Sequence, residues 1–167
     1  ALPISFYQAH PLYLWIGIVD PAGRITEATI SQVKGLDVGA TGWLQAVRRE
    51  RASVYVGDIA ADEAGHGAET VSFTAPITDH RLDAGRRSFR GAVTTRVSAK
   101  QLEQLVTEAI RLFQQQTSFF HTVEYKVLRE DGGVFIDSDA GRKGRLNLAQ
   151  GNLPSVQRAV SGESGFV

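Results

Sequence analysis

The sequence contains no cysteine and no methionine. Without cysteine there are no disulfides, no thiolate metal sites and no cysteine nucleophile. The compartment stays open, because a chain without thiols also suits an oxidising environment. Net charge is lacking as well, with 18 Lys and Arg set against 18 Asp and Glu. A neutral chain has no basic surplus to neutralise phosphates, so general nucleic-acid binding is not expected. Long hydrophobic runs are missing too. The apolar stretch at residues 12–19 falls far short of the roughly 20 residues that span a bilayer. No signal-peptide pattern follows Ala1. What remains is ordinary: 167 residues, 43% hydrophobic and 22% charged, enough for one domain or one plus part of another.

Catalytic patterns are equally scarce. His10, His66, His80 and His121 are scattered and form no His-Glu-x-x-His zinc pattern. Gly162-Glu163-Ser164-Gly165 lacks the spacing of a nucleophile elbow. Asp137-Ser138-Asp139 begins like a calcium loop, but Gly141 and Leu148 stand where ligands belong. Gly65-His66-Gly67 has neither the third glycine nor the setting of a dinucleotide fingerprint. No cofactor and no metal are expected, and the fragment is read as non-catalytic.

The chain repeats itself. Lys34-Gly35 returns as Lys143-Gly144, an offset of 109 (143 − 34), and seven identities fall in the 16 ungapped positions 34–49 against 143–158. Upstream, residues 18–23 and 128–133 share one pattern, a strand end followed by an acidic turn with glycine. At this offset Trp43 is matched by Asn152.

Within the first copy, residues 12–19 predict a buried strand. Asp20-Pro21-Ala22-Gly23 predicts a turn and residues 24–29 a second strand. Residues 41–51 predict a short helix with Trp43, Leu44 and Val47 on its apolar side. Strands are expected at 53–60, 70–78 and 89–97, with loops at 62–67 and 79–87. Then the period changes. Ser98 and Gln101 form a capping box. Leu102, Leu105, Val106, Ala109, Ile110, Phe113 and Phe120 recur at helical spacing, which predicts a helix of about 20 residues. Residues 122–128 open the second copy. The order of elements argues for an α+β fold, an antiparallel five-stranded sheet with helices packed on it.

This order resembles the Cache family of PAS-like extracytoplasmic sensor domains, in its double form. The resemblance is carried by Leu14-Trp15-Ile16-Gly17-Ile18-Val19-Asp20-Pro21-Ala22-Gly23-Arg24, Gly42-Trp43-Leu44-Gln45-Ala46, Tyr55-Val56-Gly57-Asp58, Thr74-Ala75-Pro76-Ile77 and Phe89-Arg90-Gly91-Ala92-Val93. The motifs are short; their order and spacing over nearly the whole chain carry the match. It implies a membrane-distal module at 1–97, a connecting helix at 98–121 and a truncated membrane-proximal module at 122–167. It further implies a periplasmic location in a membrane-tethered homodimeric receptor, such as a sensor histidine kinase or diguanylate cyclase. An unidentified small-molecule ligand would bind the distal module and shift its conformation. The long N-terminal helix of the family is largely missing before residue 12.

The departures bear on the ligand. The amino-acid-binding subgroup resembles Arg-Pro-Trp-Tyr at the helix, where this chain has Thr41-Gly42-Trp43-Leu44. That subgroup also places Asp in the fifth strand, where this chain has Arg96. An α-amino acid held in the usual way is therefore not expected.

Trp43, Tyr55, Asp58, Phe73 and Arg96 are the candidate ligand-binding residues. Each has a competing structural role. Trp43 can be core packing for its helix, Asp58 a strand-end acid capping a turn, and Arg96 an exposed strand-end cation. Tyr55 and Phe73 can be strand core. Asp58 and Arg96, if they face one pocket, can also pair with each other. The alternative function is a ligand-free module that dimerises or senses a protein partner.

Overall fold

A computed structural model describes residues 12–50, 54–62, 67–79, 88–116, 123–139 and 141–163. The four histidines, the loop at 80–87, the end of the long predicted helix with Phe120, and the last four residues lie outside the described residues. The chain divides into two compact units, residues 1–102 and 103–167.

The first unit is an antiparallel sheet with a helix on one face. Its strands are β1 (Tyr13–Val19), β2 (Ile25–Ala28), β3 (Tyr55–Val56), β4 (Ala60–Ala61), β5 (Glu69–Asp79) and β6 (Ser88–Ser98). They lie in the order β2-β1-β6-β5-β3, and β4 also pairs with β5. The expected third strand at 53–60 is thus two short strands. Gly57, Asp58 and Ile59 separate them, and Asp58 Oδ1 accepts a hydrogen bond from the Ile59 N–H at 2.7 Å. That local bond turns the backbone away from the ladder.

Helix α1 (Gly42–Glu50) buries Trp43, Leu44 and Val47. These spacings, i, i+1 and i+4, form one apolar stripe. The stripe meets Trp15, Val19, Ile25, Val33, Val38 and Ala92, which form the core with it. One face of the sheet is therefore covered by α1, which lies closest to β3, β5 and β6.

Ser98 ends β6 and caps α2 (Ala99–Gln116), its Oγ accepting from the Gln101 N–H at 3.3 Å. That is the bond the capping box predicts. The apolar stripe of α2 is largely solvent-facing, with Leu105, Leu112 and Phe113 all exposed.

The second unit contains most of α2, the hairpin β7 (Lys126–Leu128) and β8 (Val134–Asp137), and helix α3 (Pro154–Val160). Val134, Phe135, Ile136 and Val156 are its buried apolar residues. Its hairpin and turn repeat backbone hydrogen bonds of the first unit. The Asp20 N–H donates to Arg24 O at 2.9 Å, as Arg129 does to Gly133 at 2.8 Å. Val38 donates to Gly23 O at 2.8 Å, as Leu148 does to Gly132 at 2.9 Å. Gly23 and Gly132 both have positive φ, 103° and 82°.

The match is gapped, unlike the sequence alignment. Gly35 corresponds to Gly144, an offset of 109, but Leu36 corresponds to Leu146, an offset of 110. The helices begin at Gly42 and Pro154, an offset of 112. Trp43 is thus matched by Ser155, not Asn152. Buried Leu44 is matched by buried Val156. The later identities of the ungapped alignment come from residues at different helix positions.

Candidate functional site

A concave pocket of about 260 Å³ opens on the face of the sheet that carries α1. Trp43 and Gly42 come from the first turn of α1, Tyr55 from β3, Gly57 and Asp58 from the break after it, and Ala60 and Ala61 from β4. Thr70 and Ser72 of β5 and Arg96 of β6 complete the lining. Strand alternation accounts for this set. Ser72 pairs with Arg96, and Arg96 with Trp15, across β5, β6 and β1, so all three point to one face.

Arg96 is the unusual element. It is only 2% exposed, and a buried cation needs compensation. Its guanidinium lies over the Trp15 ring at 4.8 Å and the Trp43 ring at 5.2 Å. An Nη1 proton is donated to Thr94 Oγ1 at 2.8 Å and to the Thr95 carbonyl at 3.0 Å. Thr94 in turn shares a 2.8 Å hydroxyl contact with Thr74, and both threonines are fully buried. The Trp15 indole N–H donates to Asp62 Oδ1 at 2.8 Å. The pocket is thus lined by a guanidinium that lies against two indoles and is held by a hydroxyl pair.

Of the five residues singled out from sequence, the structure brings Trp43, Tyr55, Asp58 and Arg96 to this pocket. Phe73 is elsewhere. It neighbours Ser72 on β5 and so points to the opposite face, where it is 36% exposed. Trp43 serves both of its candidate roles, as core residue and as pocket wall. Arg96 is buried rather than an exposed strand-end cation. Asp58 is exposed, and its bond to Ile59 is the turn-capping role weighed for it. Sequence reasoning passed over Trp15 and Asp62. Trp15 stood inside an apolar run and read as core; its position two residues from Gly17 on the α1-facing side of β1 was the available signal.

Three solved structures show the same architecture. An extracellular ligand binding receptor from Desulfohalobium retbaense superimposes at a TM-score of 0.62 and 18% identity, over 94% of this chain and 26% of that one. The ligand-binding domain of the Pseudomonas fluorescens chemoreceptor CtaA, in complex with L-valine, gives 0.52 and 13%, over 83% and 56%. The ligand-binding domain of the Pseudomonas aeruginosa amino acid chemoreceptor PctC, in complex with GABA, gives 0.53 and 11%, over 90% and 60%.

The fold is that of Cache-like sensor domains.

At these identities the likeness is one of fold, and the chain spans less than two thirds of each of these structures. No protein-family model and no curated protein matches the sequence significantly. Within the Cache-like fold, the pocket lies between the sheet and the short helix of the first unit. Among the described residues no three His, Asp or Glu side chains gather into a metal-binding group, and no helix is long and apolar enough to cross a membrane.

Proposed function

We propose that this chain is the ligand-sensing portion of an extracytoplasmic receptor. The first unit acts as its membrane-distal Cache module, and the second as the beginning of a membrane-proximal one. The observation that carries the reading is the pocket itself, lined by a buried guanidinium that lies against two indoles. We propose a small organic anion, such as a carboxylate, as its ligand.

Charge magnitudes decide between an anion and a cation. Two unit charges at about 4 Å interact by roughly 4 kcal/mol at an effective dielectric near 20, but by about 1 kcal/mol in bulk water. Of the two charged side chains that line the pocket, Arg96 is buried and Asp58 is exposed, so the guanidinium is the less screened by water, and buried Asp62 stands off the lining. Arg96 is also oriented before any ligand arrives, which lowers the ordering cost of binding. The neighbouring chemoreceptor domains hold L-valine and GABA, both of which carry a carboxylate.

Signalling in this reading is a population shift. The ligand binds one arrangement of the module more tightly than another, and the difference is the driving force. Membrane tethering, a homodimeric receptor and a kinase or cyclase output belong to the same proposal and concern the whole protein.

The test is a thermal-melt screen of the purified chain against carboxylates, amines, amino acids, nucleobases and divalent metals. A ligand at 100 times its Kd adds about 2.7 kcal/mol, which raises Tm by about 5–10 °C at this size. A carboxylate hit that Arg96→Met abolishes supports the reading. An amine hit abolished by Asp58→Asn refutes the anion assignment, and no hit from any class shifts the function to a protein partner.

A further inference from the structure

Trp15, the ring over which Arg96 lies, is hydrogen-bonded to a residue that does not line the pocket. Asp62 directly follows β4 and is 5% exposed. Its Oδ1 accepts the Trp15 indole N–H at 2.8 Å across 47 residues of sequence. Its Oδ2 is buried with no hydrogen-bond partner among the described residues. A buried carboxylate that leaves one oxygen unused is costly and calls for a compensating charge. Arg96 supplies one over the face of the same ring, 4.8 Å from the Trp15 centroid.

The arrangement matches the charge distribution of an aromatic ring. The cation lies on the negative π face, and the anion meets the positive edge through the N–H. Both charges therefore polarise the indole in the same sense. Rotating Trp15 would weaken both contacts at once.

We propose that Asp62 is a positioning residue for Arg96. By accepting the indole N–H it fixes the plane of Trp15 on which the guanidinium rests, and so sets where the pocket presents its positive charge. The assignment of an anionic ligand to that charge rests on the function proposed above; the positioning itself does not.

The chain has two tryptophans, and both lie against Arg96. A ¹⁵N–¹H spectrum therefore shows two indole N–H signals, with Trp15 assigned by Trp15→Phe. The variants to compare are Asp62→Asn, which keeps an acceptor oxygen, Asp62→Ala, Arg96→Met and the Asp62→Ala/Arg96→Met double variant. Asp62→Ala moves the Trp15 signal upfield and also moves the Trp43 and Arg96 Nε–H signals. Asp62→Asn moves all three much less. In the Arg96→Met background, Asp62→Ala no longer moves Trp43.

Should Asp62→Ala fail to fold, Trp15→Phe removes the same bond from the donor side while keeping a ring under Arg96, and it too should move the Trp43 and Arg96 signals. If either variant leaves Trp43 and Arg96 in place, Asp62 only pins Trp15 and the proposal is wrong. It is equally wrong if Trp43 responds to Asp62→Ala with Arg96 gone.

Pyruvate is the ligand probe. Asp62→Ala should weaken its Kd about tenfold, equivalent to about 1.4 kcal/mol, and Asp62→Asn should hold it within a few-fold. Tight pyruvate binding unchanged by Asp62→Ala overturns the positioning role. A wild-type protein that ignores pyruvate and every other carboxylate overturns the anion-site reading instead, and the indole signals then decide the role of Asp62 on their own.

Discussion

Gly23→Ala should loosen the joint that seats α1, and with it the pocket wall. Gly23 has φ of 103°, a conformation that costs a residue with a Cβ roughly 1–2 kcal/mol. The space is also taken. A Cβ at Gly23 would lie 2.5 Å from the Gly39 Cα and 2.9 Å from its nitrogen, where ordinary contact begins at 3.4 Å. Backbone must therefore move by about 0.9 Å, the difference between 3.4 and 2.5. Gly39 cannot move alone. Its carbonyl accepts from Gln45 Nε2 at 2.6 Å and Arg48 Nη1 at 3.4 Å, both on α1. The Val38 N–H donates to Gly23 O at 2.8 Å. Losing one or two of these bonds adds about 1 kcal/mol each, which brings the total to about 2–4 kcal/mol. At this chain length that lowers Tm by about 5–15 °C. Gly35→Ala is the control. Its φ is also positive, at 88°, but nothing lies within 4 Å of the added Cβ, so only the conformational cost of about 1 kcal/mol remains. Urea unfolding followed by tryptophan emission is the assay, since Trp15 and Trp43 both report on the first unit. Equal losses for the two variants would refute the argument that the Gly23–Gly39 approach is what seats α1.

Other expectations follow from the same structure. Arg96→Met should abolish binding of whichever carboxylate raises Tm, measured by calorimetric titration. A Cβ at Gly57 would meet Ser72 Oγ at 2.2 Å inside the pocket while the backbone stays unstrained. Gly57→Ala should therefore cost little stability, because the serine can rotate, and should weaken ligand binding in the same titration. Ser98→Ala removes the α2 cap and should cost about 1 kcal/mol in urea unfolding. Asp20 accepts the Arg24 and Gly23 N–H groups at 2.9 and 2.8 Å. These bonds, that from Arg24 foremost, hold its carboxyl below the ordinary value of 3.8. Its contribution to stability is therefore present above that value and is lost as pH falls through the depressed one. An NMR titration of Asp20 with a midpoint at or above 3.8 would contradict this.

Much of the first unit was legible because its signals are local. The apolar run of β1, the Asp20–Gly23 turn and the Ser98 cap each rest on chemistry within a few residues. Arg96 was recognisable as a departure from the pattern the chain resembles and Trp43 as the residue kept from it, and they meet in the pocket. Three features were not legible, for distinct reasons. Phe73 reads as pocket-lining only if the register of β5 is guessed, and a one-residue error moves a side chain to the other face. The break at Gly57-Asp58 lies inside a β-branched and aromatic stretch whose composition favours a continuous strand. Asp62 and Trp15 are joined across 47 residues, and no local pattern announces such a bond. The repeat was visible through Lys-Gly and the acidic turns. Its gaps were hidden because small residues recur by chance at the wrong helix positions.

The way β6 ends has a mechanical consequence. Arg96 stands two residues before Ser98, where the strand stops and α2 starts at Ala99 without a connecting loop. The separation is about 7 Å of extended chain. Through this stretch β6 is hydrogen-bonded between β1 and β5, so it has little freedom to buckle. A rod clamped on both sides and fused to a helix has no slack to absorb a disturbance. Between Arg96 and the first turn of α2 there is therefore no loop in which a displacement could be taken up.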